Sequence, residues 1–273
     1  MKKRSLVICF AGVLIIFAGS ANAGFVEIFS EDWSGDTGHD GSNLNSWYHE
    51  SAYGNGASTD IVILPAGPPY GNILSMDPPN RPPDPPYGGI EEYSIGIRSK
   101  SSYSSGVLDD VLSVESKLQL LEDGGGAGVI AFAQSTNPLY GYGLAVSRGE
   151  NEDAVLEIRK FTGLLDSTGF GYYIVSTVNP LDVHTYRMEA TFYNGSINFD
   201  VYIDGSPTSI PQLNYTDYSP VSFNGSVTFA LATNIGQQAY FDDFYAAGDV
   251  VPEPATVLLL GLGALALMRK RRA

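Results

Sequence analysis

Few residues in this chain are able to carry chemistry, and their spacing excludes more reactions than it selects. The three histidines, His39, His49 and His184, form neither a His-Glu-x-x-His run nor a close pair with zinc-ligand spacing. No Gly-x-Ser-x-Gly elbow exists to expose a serine nucleophile. Gly124-Gly125-Gly126 follows Glu122-Asp123 but lacks the lysine and helix that cradle a phosphate, so it reads as a hairpin turn. Asp36-Thr37-Gly38-His39-Asp40-Gly41 partly imitates an oxygen-ligand loop, yet its twelfth position is Trp47, where an EF-hand needs glutamate. The one cysteine, Cys9, lies in an apolar N-terminal stretch. Beyond residue 23 there is thus no thiol for a disulfide, a metal or a nucleophile.

The two ends carry addresses. Met1-Lys2-Lys3-Arg4 is basic, residues 6–18 are apolar, and Ala21-Asn22-Ala23 offers small residues where signal peptidase needs them. Residues 1–23 therefore read as a signal helix cleaved before Gly24. At the other end Pro252-Glu253-Pro254 precedes an uncharged stretch, 255–268, and then Arg269-Lys270-Arg271-Arg272. As a helix that stretch rises about 21 Å, short of a hydrocarbon core of about 30 Å, which suits a temporary hold better than a permanent anchor. The basic end stays cytoplasmic and the body lies outside. This tail, 250–273, resembles the PEP-CTERM sorting signal of exported bacterial proteins. The resemblance implies processing by an exosortase, transient residence in the inner membrane, and delivery to the cell surface or extracellular matrix of bacteria that make exopolysaccharide.

The chain's net charge is −15, and seven of its 15 basic residues sit in the two ends, so the body is more acidic still. Nucleic acid is excluded as a partner on that ground, and anionic surfaces are disfavoured, whereas neutral polysaccharide remains open. Residues 24–249 suffice for one β-sandwich or for two small domains, and length alone does not choose. Residues 112–120 alternate apolar and polar with period two, the pattern of a half-buried antiparallel strand. Tyr186, Met188, Ala190 and Phe192 repeat it, Asn194-Gly195 turns the chain, and Ile197, Phe199, Val201 and Ile203 carry it back. Further strands are expected over 60–64, 93–98, 128–134, 142–147, 154–161, 172–178, 226–232 and 239–246. Residues 64–89 hold nine prolines from Pro65 to Pro86 and are expected to form a long surface excursion, with a short strand at 72–76.

The run His184-Thr185-Tyr186-Arg187-Met188-Glu189-Ala190-Thr191-Phe192, with Val201-Tyr202-Ile203-Asp204-Gly205 and the closing Tyr240-Phe241-Asp242-Asp243-Phe244, resembles the hairpin and last strand of concanavalin A-like jelly rolls. Phe29-Ser30-Glu31-Asp32-Trp33 is similar to their first strand. The fold class this implies is all-β, an antiparallel two-sheet jelly-roll sandwich whose first and last strands meet, flanked by the signal helix and a transmembrane-like helix. Lectins and glycoside hydrolases both use that fold. Hydrolases of the family would carry a Glu-x-Asp-x-x-Glu cluster on one strand, and none occurs; Glu150-Asn151-Glu152-Asp153 sits in a turn and reads as solvated. A non-enzymatic module, with glycan binding as its candidate activity, is the leading reading; a divergent glycoside hydrolase and a purely structural surface protein are the alternatives. The one cofactor considered is a structural calcium on Asp32, Asp242 and Asp243, against plain solvated carboxylates. Strand alternation places Asp242 and Asp243 on opposite faces.

Overall fold

The computed structural model describes residues 25–33, 46–49, 60–65, 72–77, 93–99, 111–121, 127–136, 139–162, 167–204, 211–223, 227–234 and 237–249. Ala21, Ala23, Gly24, the sorting tail and most of the proline-rich stretch lie outside them. Glu27–Gly248 is one compact unit.

Its strands form two sheets. Sheet A contains β1 (Phe25–Glu31), β3 (Asp60–Pro65), β4 (Asn72–Asp77), β6 (Val111–Leu120), β11 (His184–Tyr193), β12 (Ser196–Ile203), β13 (Leu213–Asp217) and β15 (Ala239–Asp249). Sheet B contains β2 (Trp47–His49), β5 (Tyr93–Ser99), β7 (Ala127–Thr136), β8 (Leu139–Arg148), β9 (Ala154–Thr162), β10 (Ser167–Val175) and β14 (Thr228–Asn234). The order in sheet A is β13-β12-β11-β6-β15-β4-β3, with β1 also on β15; in sheet B it is β10-β9-β8-β7-β14-β5-β2. First and last strands meet, as the jelly-roll resemblance implies. The architecture is the expected antiparallel sandwich.

Side-chain alternation explains why these segments pair in these registers. Along β11 and β12 the expected apolar residues, Tyr186 to Phe192 and Ile197 to Ile203, are buried, and their neighbours are half-buried or exposed. A one-residue slip would turn all of them outward, so burial fixes the register. Asn194 and Gly195 form the turn, with Gly195 at φ 86°, a conformation that costs glycine little. Between the sheets an aromatic cluster joins Phe132, Tyr142, Phe192, Phe199 and Phe223, with Tyr142 and Phe199 centroids 4.8 Å apart. Burying each such ring contributes about 1.5–3 kcal/mol.

Two expectations need correction. The strand expected over 172–178 runs instead from Ser167 to Val175 and meets a turn at residues 176–177. The cause is Gly171 at φ 55°, whose bulge between Phe170 and Tyr172 breaks the alternation that sequence reading relies on. Within the proline-rich stretch the short strand expected at 72–76 is present as β4, but it is not part of a surface excursion: it lies between β15 and β3, and Leu74 and Met76 are in the core. Asn72 Nδ2 donates to the Trp33 carbonyl at 3.0 Å, tying β4 to the end of β1.

Candidate functional site

The outer face of sheet A is built from the polar positions left over when the alternate residues turn inward. Registers align them in rows across four and five strands. One row is Tyr245, Glu115, Arg187 and Tyr202; the next is Ala247, Ser113, Glu189, Asp200 and Asn214. The Arg187 guanidinium stacks over the Tyr202 ring at 4.5 Å and lies 3.3 Å from Glu189 Oε1. Asn214 Nδ2 donates to Asp200 Oδ1 at 2.6 Å, and Thr216 Oγ1 donates to Asn198 Oδ1 at 2.8 Å. Burial pushes the carboxyls of Glu115 and Glu189 above the usual range, against the pull of Arg187 beside both. The result is a fixed, half-buried array of carboxylates, amides, hydroxyls and one guanidinium.

At one end of this array β15 departs from regular geometry. Asp242 pairs with Lys117 and Tyr245 with Glu115, so β15 fits an extra residue into that interval. Phe241 and Phe244 both turn into the core, and Asp243 adopts φ 45° between them. The expectation that Asp242 and Asp243 face opposite ways is therefore wrong: the bulge sends both to the outer face. Lys117 Nζ pairs with Asp243 Oδ2 and lies 3.7 Å from Asp242 Oδ2. Asp242 is nearly buried, and burial first, then the Asp243 charge, raises its carboxyl despite Lys117.

Of the expected calcium ligands, Asp32 and Asp243 line one open cavity of about 530 Å³, with Ser30, Glu31, Glu115, Phe244 and Tyr245. Asp242 is not among its lining residues. Among the described residues no group of three or more Asp, Glu, His or Cys side chains stands close enough to hold one ion. These residues do not fit a calcium site by themselves, because Lys117 already supplies the countercharge to the aspartate pair.

The outer face of sheet B is different in kind. Its central positions are Val129, Ala131 and Ala133 on β7, Gly141, Gly143 and Ala145 on β8, Phe161 on β9, and Ala230 and Ala232 on β14. None of these is a carboxylate, and Ala131, Ala145 and Ala230 are at most 3% exposed. The carboxylate of that face, Glu157 opposite Ala145, is already engaged. Glu157 on β9 pairs with Arg159 at 2.6 Å, and Glu152 pairs with Arg148 at 2.9 Å across the turn where residues 150–153 were expected to be solvated.

A third polar cluster, unseen in the sequence, lies between the sheets at their β10 and β13 edges. Tyr142 Oη donates to Asp217 Oδ2 at 2.7 Å, and Lys160 Nζ stands 3.0 Å from the same oxygen. Ser219 N donates to Asp217 Oδ1 at 2.8 Å, Val221 N donates to Tyr142 Oη at 2.8 Å, and Lys160 also donates to the Ser219 carbonyl. Its members come from β8, β9, β13 and the segment that follows β13, up to 79 residues apart. No local pattern marks such a cluster.

Comparison with known proteins adds two findings. A model of the PEP-CTERM protein-sorting motif matches residues 250–272, so the chain carries that motif, with Pro252, Glu253 and Pro254 at its start and Arg269, Lys270, Arg271 and Arg272 at its end. In fold the chain is similar to a glycoside hydrolase family 16 endo-glucanase from Bacteroides ovatus, at 13% identity over 80% of this chain and 99% of that one, TM-score 0.50. It is also similar to a legume lectin-like domain from Entamoeba histolytica, at 13% identity over 74% and 89% of the two chains, TM-score 0.45. A third likeness is to the carbohydrate recognition domain of Emp46p, at 9% identity over 82% and 97%, TM-score 0.47. No curated protein matches. At such identities the likeness is one of fold alone.

Proposed function

We propose that this chain is an exported, non-enzymatic surface module that binds neutral polysaccharide on the outer face of sheet A. Signal peptidase removes residues 1–23, the PEP-CTERM tail holds the body at the inner membrane, and an exosortase releases it to the cell surface or matrix. The observation carrying the binding reading is the row Tyr245, Glu115, Arg187 and Tyr202 beside Glu189, Asp200 and Asn214. A sugar ring presents alternating donors and acceptors on its edge and C–H groups on its faces; this array offers fixed partners for the first and aromatic surface for the second. The acidic body favours uncharged polymers over acidic ones.

The test is retention of the purified ectodomain, residues 24–249, on a panel of neutral glycans. Wild type is expected to bind at least one, and Arg187→Ala to weaken that binding about tenfold, equivalent to ~1.4 kcal/mol. Retention on none, or equal retention by the variant, overturns the assignment. A second reading has a specific observation behind it: Glu115 and Glu189 flank Arg187 with carboxyls raised by burial, and a protonated carboxyl is what acid catalysis of glycoside cleavage requires. Release of reducing sugar by wild type, lost in Glu115→Gln, would replace binding with hydrolysis.

The same reading gives Lys117 the place that calcium was expected to take. Millimolar calcium against a chelator is expected to leave the melting temperature of the ectodomain unchanged. A rise of several degrees with calcium would mean that donors outside the described residues, such as Asp36 and Asp40, complete a site with Asp32 and Asp243.

A further inference from the structure

Among the described strands, four end the two sheets and β1, which pairs with β15 alone, adds a side edge that carries Glu27 and Glu31; three of the four ends are poor templates for pairing. β2 has three residues, β13 has five and carries Asp217, and β3 begins at Asp60 and ends at Pro65. Short length, charge and proline are the devices by which sheet edges avoid joining other strands. The fourth edge, β10, has none of them. Its nine residues, Ser-Thr-Gly-Phe-Gly-Tyr-Tyr-Ile-Val, contain neither charge nor proline. Tyr172 is 70% exposed, Ile174 49% and Tyr173 45%.

We propose that β10 pairs antiparallel with β10 of a second copy of this chain, joining two B sheets into one continuous sheet across a two-fold axis. The bulge at Gly171 confines the pairing to the residues after it, Tyr172 to Val175. An antiparallel contact of a strand with itself is self-complementary, each residue meeting in one copy what its partner meets in the other. It sets Tyr172 and Ile174 of the two copies side by side on the outer face as cross-strand neighbours.

Charge selects the second copy as occupant and this strip as the place. The chain carries a net charge of −15, so two copies repel each other over most of their surfaces. Along β10 itself that repulsion is reduced, because the strand has no charge and the acids of the 150–153 turn lie only beside its Val175 end. Glu157 on the neighbouring strand is neutralised by Arg159 at 2.6 Å, and Asp217 beneath it by Lys160 at 3.0 Å. Phe170 and Tyr215 stack at 5.4 Å and close the sandwich behind the strand, so β10 is held firm while its edge stays open.

Sedimentation velocity of the ectodomain in the absence of glycan tests this. Wild type is expected to be a dimer at tens of micromolar, and Ile174→Lys and Tyr172→Lys to be monomers with wild-type melting temperatures. Because the chain's one cysteine is Cys9, in the signal, Tyr173→Cys supplies a single thiol to the ectodomain. Oxidation is expected to cross-link it across the axis, whereas Tyr193→Cys on sheet A, equally exposed, stays monomeric on a denaturing gel. A wild type that sediments as a monomer, lysine variants that remain dimeric, or equal cross-linking at both positions overturns the proposal. None of these readouts depends on glycan binding.

Discussion

Replacing Asp217 with alanine is expected to lower stability at neutral pH by about 3–5 kcal/mol, the cost of removing one member of a buried ion pair. In a domain of this size that amounts to a fall in melting temperature on the order of 10 °C. The reason lies in how many groups depend on one carboxylate. Asp217 is 3% exposed; it accepts from Tyr142 Oη, from Ser219 N and from Lys160, and Tyr142 Oη in turn holds Val221 N. Without it, Lys160 keeps a charge inside the sandwich with no counter-ion, and Tyr142 loses its acceptor in the core. Lys160→Met in the Asp217→Ala background should recover part of the loss, because it removes the orphaned charge.

The pH dependence of that loss has a definite sign. Burial by itself raises the Asp217 carboxyl, but the hydrogen bonds from Ser219, Tyr142 and Lys160 and the lysine charge overcome it and hold the group below its ordinary value of 3.8. A carboxyl depressed on folding contributes stability that is complete above the unfolded value and disappears as pH falls through the folded one. The gap between wild type and Asp217→Ala should therefore be widest at neutral pH and close below pH 3.8. Glu115, Glu189 and Asp242, whose carboxyls are raised, act in the opposite sense in both proteins and cancel from the difference. Urea melts at neutral and acid pH measure it; a gap that stays constant with pH would mean the ion pair is not what Asp217 contributes.

What the sequence disclosed and what it withheld divide along a physical line. The β11–β12 hairpin and β6 were legible because period-two alternation and an Asn-Gly turn are local, and burial enforces them. The C-terminal sorting motif was legible for the same reason: it is read as a linear string. Bulges broke the reading. Asp242 and Asp243 were assigned to opposite faces by counting, although Phe241 and Phe244, three apart and both large and apolar, are the signal that an extra residue intervenes. The polar array on sheet A was half visible, since Arg187 and Glu189 stood on the polar side of a recognised strand; that Glu115 and Tyr202 fall in the same row depends on which strands adjoin. The Tyr142, Lys160 and Asp217 cluster depends on how two sheets close at an edge, which no window of sequence contains.

Gly141→Glu, a substitution that would place a carboxylate in the outer row of β8, is expected to prevent stable folding. A Cβ at residue 141 would stand 2.5 Å from the Ala133 Cα and closer still to the Phe132 carbonyl oxygen, both backbone atoms at the β7 bulge that cannot step aside. Overpacking of this kind costs about 1–3 kcal/mol or more before the charge is counted. The added carboxylate would face Ala133, which is fully buried, and Arg159, the cation opposite Gly143 on that face, is already paired with Glu157, so burying the new charge adds a further cost of several kcal/mol. Together these approach the whole stability of an ordinary domain, about 5–15 kcal/mol. Gly195→Ala is the control: nothing lies within 4 Å of that position, and only its φ of 86° is unfavourable, so a loss of about 1 kcal/mol is expected. Soluble yield and urea midpoints distinguish the two, and a Gly141→Glu protein with the wild-type midpoint would refute the steric argument. Position 141 on the outer face of sheet B is thus closed to a side chain by the backbone of β7.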